Sequence, residues 1–440
     1  MKDARILYLS IVVALAGFLF GFDTIVISGA DERLQEFWQS DNLFHGWVVM
    51  SAALWGTVVG AVFGSWPTNM FGRRKTLIAI GLMFFVSAIG SALVSDVYLF
   101  AGFRFLGGLG IGISTIAAPA YVSEIAPANQ RGKLVAMYQF NIVFGILIAF
   151  VSNFLLKDIG EEAWRWMLGV EAAPALIYTV LVLGVPESPR WLLKYKNDRE
   201  GALAILKNID PAGDHNAALA VMDSDEQKQT SQQSIFQKKF RRPLMLAFFI
   251  AFFNQVSGIN AFLYYAPRIF ELAGLEESAS FLSSIGIGII NLAFTLIGIA
   301  LIDRFGRRTL MIFGSLGYIL SLGGVTFLFS MGVEGMLVPI FFFLFIASHA
   351  IGQGAVIWVF ISEIFPNRLR ADGQAFGSSV HWVLAAIIPA LMPFLIDEIG
   401  AAIVFGIFCF CMVGQLLWVL FVMPETKGES LEKLADKLSS

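Results

Sequence analysis

The sequence predicts an all-α membrane protein with twelve transmembrane helices in two six-helix bundles and a cytoplasmic helical insert between them. Three observations lead there. Of the 440 residues, 57% are hydrophobic and only 14% charged, and the mean hydropathy is +0.74, whereas soluble domains carry about 25% charged residues. Apolar stretches of roughly 20 residues, long enough to cross about 30 Å of hydrocarbon, recur along the whole chain. Short polar motifs at the ends of those stretches repeat at nearly one offset.

The stretches fall at 6–29, 46–67, 76–95, 98–120, 133–156, 164–185, 243–268, 279–302, 309–331, 336–362, 374–396 and 401–423. The first is too long for a signal-peptide core, lacks a cleavage site and holds Asp23, so it reads as a retained span. With the N-terminus inside, cytoplasmic segments hold 25 of the 30 Lys and Arg. That asymmetry puts both termini in the cytoplasm. The expected organisation is 1–185 as the N-terminal bundle, 186–242 as a cytoplasmic insert, 243–424 as the C-terminal bundle and 425–440 as a tail. In the insert, Ser188-Pro189 reads as a helix start and Asp198 opens a second amphipathic run, while 223–234 reads as a mobile linker.

The repeat supports two related halves. "NMFGRR" (69–74) returns as "DRFGRR" (303–308), "SEIAPANQR" (123–131) as "SEIFPNRLR" (362–370), and "PESPR" (186–190) more weakly as "PETKG" (424–428), at offsets of 234, 239 and 238. Such parallel repeats are a transporter architecture, with the substrate site expected near mid-membrane.

A net charge of −3 gives no support for a nucleic-acid partner. Cys409 and Cys411 share the last apolar stretch and read as packing residues. No cofactor or metal site is expected, and without G-x-x-x-x-G-K-[ST] neither is direct ATP drive. Gly102, Gly107, Gly108, Gly110 and Gly112 in the fourth stretch read as close-packing positions.

The seventh stretch contains "NQVSGINAFLYYAP" (254–267). On an ideal helix with Asn254 at 0°, Gln255, Asn260, Tyr264 and Tyr265 fall at about 100°, 240°, 280° and 20°. No single polar face holds that spread. The helix is therefore surrounded by protein or water, or broken at Ser257-Gly258. Such amides could simply join helices, at about 0.6–2 kcal/mol each, or they could bind a polyhydroxylated ligand, since each amide offers both a donor and an acceptor.

"RFGRR", "PESPRWL" (186–192), "QVSGINAFLYYAP", "WVFISEIFPNRLR" (358–370) and "MPETKG" (423–428) together resemble the sugar porter family of the major facilitator superfamily. The resemblance covers nearly the whole chain. That family includes animal facilitative glucose carriers and bacterial sugar–proton symporters. Carried onto this sequence, the resemblance implies sugar contacts at Gln139, Ile142 and Ile146 in the fifth stretch and at Asn254, Gln255, Asn260 and Tyr265 in the seventh. It adds Asn291, Trp358 and Trp382, with His381 standing where the family commonly has Gln or Asn. Asn254-Gln255 replaces the usual Gln-Gln, Asn69 the usual Asp of the first loop motif, and Met70 its Arg.

Asp23, Arg104 and Glu171 each lie six or seven residues from the outer end of their stretch, about 9–10 Å deep at 1.5 Å per residue. An unpaired charge there costs about 2.5–3.5 kcal/mol, so pairing is expected. The resemblance implies that Asp23 and Arg104 couple protons to sugar; a purely structural ion pair is the alternative. Arg74, Glu124, Arg131, Arg308, Glu363 and Arg370 gather at cytoplasmic ends of both halves. They read either as solvated charges or, by their duplicated spacing, as an ion-pair latch on the inner gate. His349 and Gln353, at i and i+4, read as bonding within a helix pair.

The expected function is import of a hexose or pentose by proton symport and alternating access, in the plasma membrane and as a monomer, with sugar, proton and bilayer as partners. The rivals are a facilitator of the same fold and a non-transporting sugar sensor. No enzyme-like nucleophile–base or metal-ligand arrangement occurs in the sequence.

Overall fold

The computed structural model describes residues 2–127, 130–209, 214–227, 234–366 and 369–428. Among these, eleven helices are long and apolar enough to span a membrane, and a twelfth arises if the pair Asn42–Met50 and Ala52–Phe63, bent by 42°, counts as one span. With that pair as span 2, the others are span 1 (Ala4–Gly29), span 3 (Arg73–Leu93), span 4 (Val97–Ile125), span 5 (Gly132–Leu156), span 6 (Ala163–Leu183), span 7 (Lys238–Tyr264), span 8 (Glu277–Phe305), span 9 (Arg307–Ser330), span 10 (Leu337–Ile364), span 11 (Arg370–Ile399) and span 12 (Ala401–Phe421). No strand occurs among the described residues.

The chain divides into two compact units, Met1–Thr24 with Trp55–Ile146 and Leu168–Gln232, and Ile25–Leu54 with Leu147–Met167 and Gln233–Ser440. This differs from the division at 185 and 243 read from the repeat. The second unit includes the C-terminal end of span 1, the first part of span 2 and the junction of spans 5 and 6.

In the first unit, span 1 lies against span 5 through two glycines. Gly21 abuts the Ile142 carbonyl and Gly145 the Phe18 carbonyl, so closely that a Cβ at either would overlap. Of the glycines in span 4, Gly107 meets the Ser87 hydroxyl and Gly112 the backbone of span 2, as close packing requires. Gly102, by contrast, faces open space and Gly110 leaves room for a Cβ, so close packing is not their role. The insert begins as expected: Ser188 Oγ accepts from Trp191 N (3.2 Å) with Pro189 in the first helical turn. Asp198 Oδ1 accepts from Gly201 N (2.8 Å) ahead of helix Arg199–Ile209. Helix His215–Gln227 takes in the first part of the stretch read as a linker, and 228–233 lie outside the described residues.

The repeated "FGRR" motif folds alike in both units. Gly72 (φ 95°, ψ 166°) and Gly306 (φ 89°, ψ 167°) make the same turn into the next span, a conformation that favours glycine.

In the second unit, span 7 is broken. Helix Arg241–Val256 ends at Ser257, Gly258 turns the chain at φ 81°, and helix Ile259–Tyr264 follows. Any Cβ on Gly258 would also strike the Phe408 ring. In span 11, Pro393 has no N–H to give the Pro389 carbonyl. The Tyr265 hydroxyl donates to that carbonyl instead, at 3.0 Å, tying the broken span 7 to span 11.

Candidate functional site

The break in span 7 turns its amides toward one another. Asn260 Nδ2 donates to Gln255 Oε1 (2.9 Å), and Gln255 Nε2 donates to Asn254 Oδ1 (2.9 Å). Gln255 Nε2 also lies 3.2 and 3.3 Å from the two ring nitrogens of His381, and it can donate only to the one that carries no hydrogen in the neutral ring. His381 in turn sits between indoles, with ring centroids 5.1 Å from Trp358 and 4.9 Å from Trp382. Polar donors and acceptors beside flat apolar faces suit a ligand with hydroxyls on an apolar ring. Tyr265, read as a contact, is instead fully committed to span 11: it is 1% exposed and its hydroxyl is bonded to Pro389. Asn291 is buried, and its Oδ1 accepts from Thr295 Oγ1 of its own helix (3.4 Å). No direct hydrogen bond joins it to the amide cluster among the described residues.

Two histidine and amide positions differ from expectation. His349 Nδ1 meets the Tyr318 hydroxyl at 2.5 Å, and Gln353 bonds to Gln415 (2.8 Å), so neither bonds the other. A π-helical turn over Ala350–Gly354 accounts for this, because it alters the i, i+4 register of span 10. Gln415 was not singled out in the sequence. It is an isolated polar residue within an apolar span, the signal that could have found it.

In the first unit, Gln139 and Ile142 are half-buried on span 5 and Ile146 is buried. Among the described residues Gln139 makes no side-chain hydrogen bond. Asp23 (0% exposed), Arg104 (1%) and Glu171 (0%) gather in the same unit. Arg104 Nη1 donates to Asp23 Oδ1 and Nη2 to the Asp23 main-chain carbonyl (2.9 Å). Glu171 faces the Asp23 carboxylate and lies within electrostatic reach of Arg104. One guanidinium thus holds Asp23 and stands near a second buried acid.

At the motif turns the structure reassigns the arginines. The guanidinium that grips Glu124 belongs to Arg73, with Nε 3.1 and 3.0 Å and Nη2 2.8 Å from the carboxylate. Its repeat counterpart is Arg307, whose Nε and Nη2 lie 3.0 and 2.7 Å from Glu363. Arg74 and Arg308, predicted for this role, reach carbonyls at the ends of spans 6 and 12 instead: Leu183 O at 2.7 Å, and Val419 O at 3.1 Å together with Leu420 O. One helical residue is a rotation of about 100°, which sends adjacent side chains to different neighbours. Each pairing joins residues of a single unit. Glu187 and Glu425, also missed, staple the turns by accepting from the backbone N–H groups of Arg73 and Arg74, and of Arg307 and Arg308. Burial works to raise the Glu425 pKa, but the backbone donors of Lys427, Arg307, Arg308 and Thr426 outweigh it and hold the group below the usual glutamate value. Arg370 lines a cavity of about 620 Å³ with Arg307, Glu363 and Lys427. The Arg131 side chain lies outside the described residues.

A further charged cluster in the second unit was not foreseen. His45 Nε2 lies 2.7 Å from Asp31 Oδ1, both side chains at most 1% exposed. Asp31 Oδ2 accepts from Arg268 Nη1 (3.3 Å), and Arg268 Nε is 3.6 Å from Glu32. Nearby, burial first and then the charge and hydrogen bond of Glu32, with Glu277 beyond, push the Glu271 pKa up to about 8 against the lowering effect of Arg268. Asp31 follows span 1 and His45 precedes the apolar part of span 2, so their meeting depends on how those ends pack. No group of three or more His, Cys, Asp or Glu among the described residues is placed to hold a metal ion.

Comparison with known proteins gives the family and the fold. The family model "Sugar (and other) transporter" matches residues 9–438. The arabinose-proton symporter of Bacillus subtilis is 34% identical over 439 residues, covering 98% of this chain and 94% of its own. The D-xylose-proton symporter of Escherichia coli is 33% identical over 479 residues, covering 98% and 96%. The inward-open structure of the E. coli xylose transporter superposes with a TM-score of 0.88 at 31% identity, covering 98% of this chain and 99% of that one. With a family model spanning nearly its whole length and relatives above 30% identity throughout, the chain belongs to the sugar transporter family of the major facilitator superfamily and is a multi-pass membrane transporter, not an enzyme.

Proposed function

We propose that the protein imports a monosaccharide, hexose or pentose, by proton-coupled symport and alternating access. The observation that carries this is the buried trio in which Arg104 holds Asp23 beside Glu171. A carboxylate placed in an apolar span is costly, and pairing with one cation while a second acid stands close creates a place where a proton can come and go. Relatives named for arabinose–proton and xylose–proton symport support the same reading. A proton moving through about 150 mV gains about 3.4 kcal/mol, enough for roughly 300-fold accumulation by potential alone.

In the second unit the sugar-contacting residues are Asn254, Gln255, Asn260, Asn291, Trp358, His381 and Trp382; in the first unit, taken by itself, the candidates are Gln139, Ile142 and Ile146 of span 5. The amides address hydroxyls and the indoles stack on the ring. The chain works as a monomer in the plasma membrane, two six-helix halves with both termini cytoplasmic, an orientation that rests on the distribution of Lys and Arg. The test is uptake into reconstituted vesicles: accumulation driven by an imposed proton gradient and abolished by an uncoupler supports symport. Equilibration without proton dependence would make the protein a facilitator, and binding without uptake a sensor.

A further inference from the structure

The amide cluster of span 7 does not end at span 7. Asn254 Nδ2 donates to Gln353 Oε1 of span 10 (3.5 Å), Gln353 Nε2 to Gln415 Oε1 of span 12 (2.8 Å), and Gln415 Nε2 to Ser315 Oγ of span 9 (2.8 Å). Ser315 Oγ donates to the Met311 carbonyl at 2.7 Å. Asn254, Gln353, Gln415 and Ser315 are 0–3% exposed, so no water competes for these bonds.

The direction of this chain is forced from its far end. A hydroxyl has one hydrogen, and Ser315 spends it on a main-chain carbonyl, which can only accept. Ser315 Oγ must therefore accept from Gln415, which turns the amide oxygen of Gln415 toward Gln353. The NH₂ of Gln353 then faces Gln415, and it also lies 3.4 Å from the Ile250 carbonyl, a second group that can only accept. Its oxygen is left for Asn254. The same logic passes through Asn254 and Gln255 to Asn260, whose NH₂ is used on Gln255 while no described donor reaches its Oδ1. Every amide flip follows from backbone carbonyls on spans 7 and 9.

We infer that Gln353, with Gln415 and Ser315 behind it, is a positioning residue that fixes the flips of the sugar-site amides, so that Asn260 presents an acceptor to a sugar hydroxyl. The inference rests on the sugar-binding reading and adds the polarity of the contact. A site whose polarity is fixed rejects a ligand lacking the matching donor far more strongly than one whose amides can turn. A merely structural role for Gln353 would change stability or overall affinity, not the preference for donor over acceptor.

The experiment uses the full-length purified protein and D-glucose, D-xylose and their monodeoxyfluoro counterparts, since fluorine keeps an acceptor where the hydroxyl also donates. Wild type is expected to prefer hydroxyl over fluorine by at least about tenfold at one ring position, roughly one hydrogen bond to a buried partner. In Gln353→Leu and Gln353→Met that ratio is expected to fall to about threefold or less at the same position, whereas Gln415→Met and Ser315→Ala should lower it less, because the Ile250 carbonyl still orients Gln353. Thermal melting checks that each variant is folded, and Gln353→Met keeps the test valid if Gln353→Leu is not. Folded Gln353 variants with the wild-type ratio would overturn the inference, as would a wild type that binds sugar but discriminates at no position. If wild type binds neither sugar, the sugar-site reading fails first and takes the inference with it.

Discussion

Arg104 holds Asp23 by two different groups, one Nη on the carboxylate and the other, at 2.9 Å, on the same residue's main-chain carbonyl. The second bond does not depend on charge. Protonating Asp23 would therefore weaken the carboxylate contact while leaving Arg104 attached to the backbone of span 1. On the symport reading proposed above, that arrangement would let a proton exchange at Asp23 without scattering the site.

Asp23→Asn keeps the shape and removes the exchangeable charge. It should still exchange sugar in counterflow yet fail to concentrate it against a gradient. Both assays can be run on the same reconstituted vesicles. Accumulation that persists in the variant and remains uncoupler-sensitive would take the coupling role away from Asp23.

Gln255 makes three contacts, to Asn254, Asn260 and His381. Gln255→Ala should weaken sugar binding at least about tenfold, or about 1.4 kcal/mol. Calorimetry on the folded variant is the check, and unchanged affinity would remove Gln255 from the site.

His381 is packed between Trp358 and Trp382. His381→Gln should reorder the ranking of competing hexoses while leaving uptake measurable. An unaltered competition profile would return the imidazole to a packing role.

Arg73 and Arg307 grip carboxylates, whereas Arg74 and Arg308 cap carbonyls. Removing one partner of a part-buried ion pair leaves the other charge unpaired, so Arg307→Ala should cost about 2 kcal/mol more than Arg308→Ala. The same order is expected for Arg73→Ala over Arg74→Ala. Paired melting curves decide it, and equal losses would contradict the assignment of the first arginine in each motif.

Glu271, raised to about 8, favours its proton in the folded state. The folded protein then binds more protons than the unfolded one between about pH 4.5 and 8. Its contribution is fully present below about pH 4.5 and lost as pH rises through about 8. Glu271→Gln should flatten the fall in melting temperature between pH 5 and 8.5. A variant that tracks wild type across that range would rule out this group as the source.

What the sequence by itself determined is what depends on neighbours along the chain. Spans, the duplicated motifs and the break at Gly258 were all legible, because helix formation, apolar length and the conformational freedom of glycine are local properties. The choice of Asp23 and Arg104 as partners was legible for a related reason, since a charge at one depth in hydrocarbon leaves few alternatives. Tertiary structure alone decided the rest. Whether Arg73 or Arg74 reaches Glu124, and that Gln353 meets Gln415 or His45 meets Asp31, depends on how each helix is rotated about its axis and where it lies against others. A turn of about 100° separates adjacent residues, so an error of one position points a side chain at a different helix. That rotation is settled by packing across the whole bundle, where glycines such as Gly21 and Gly145 let one backbone approach another.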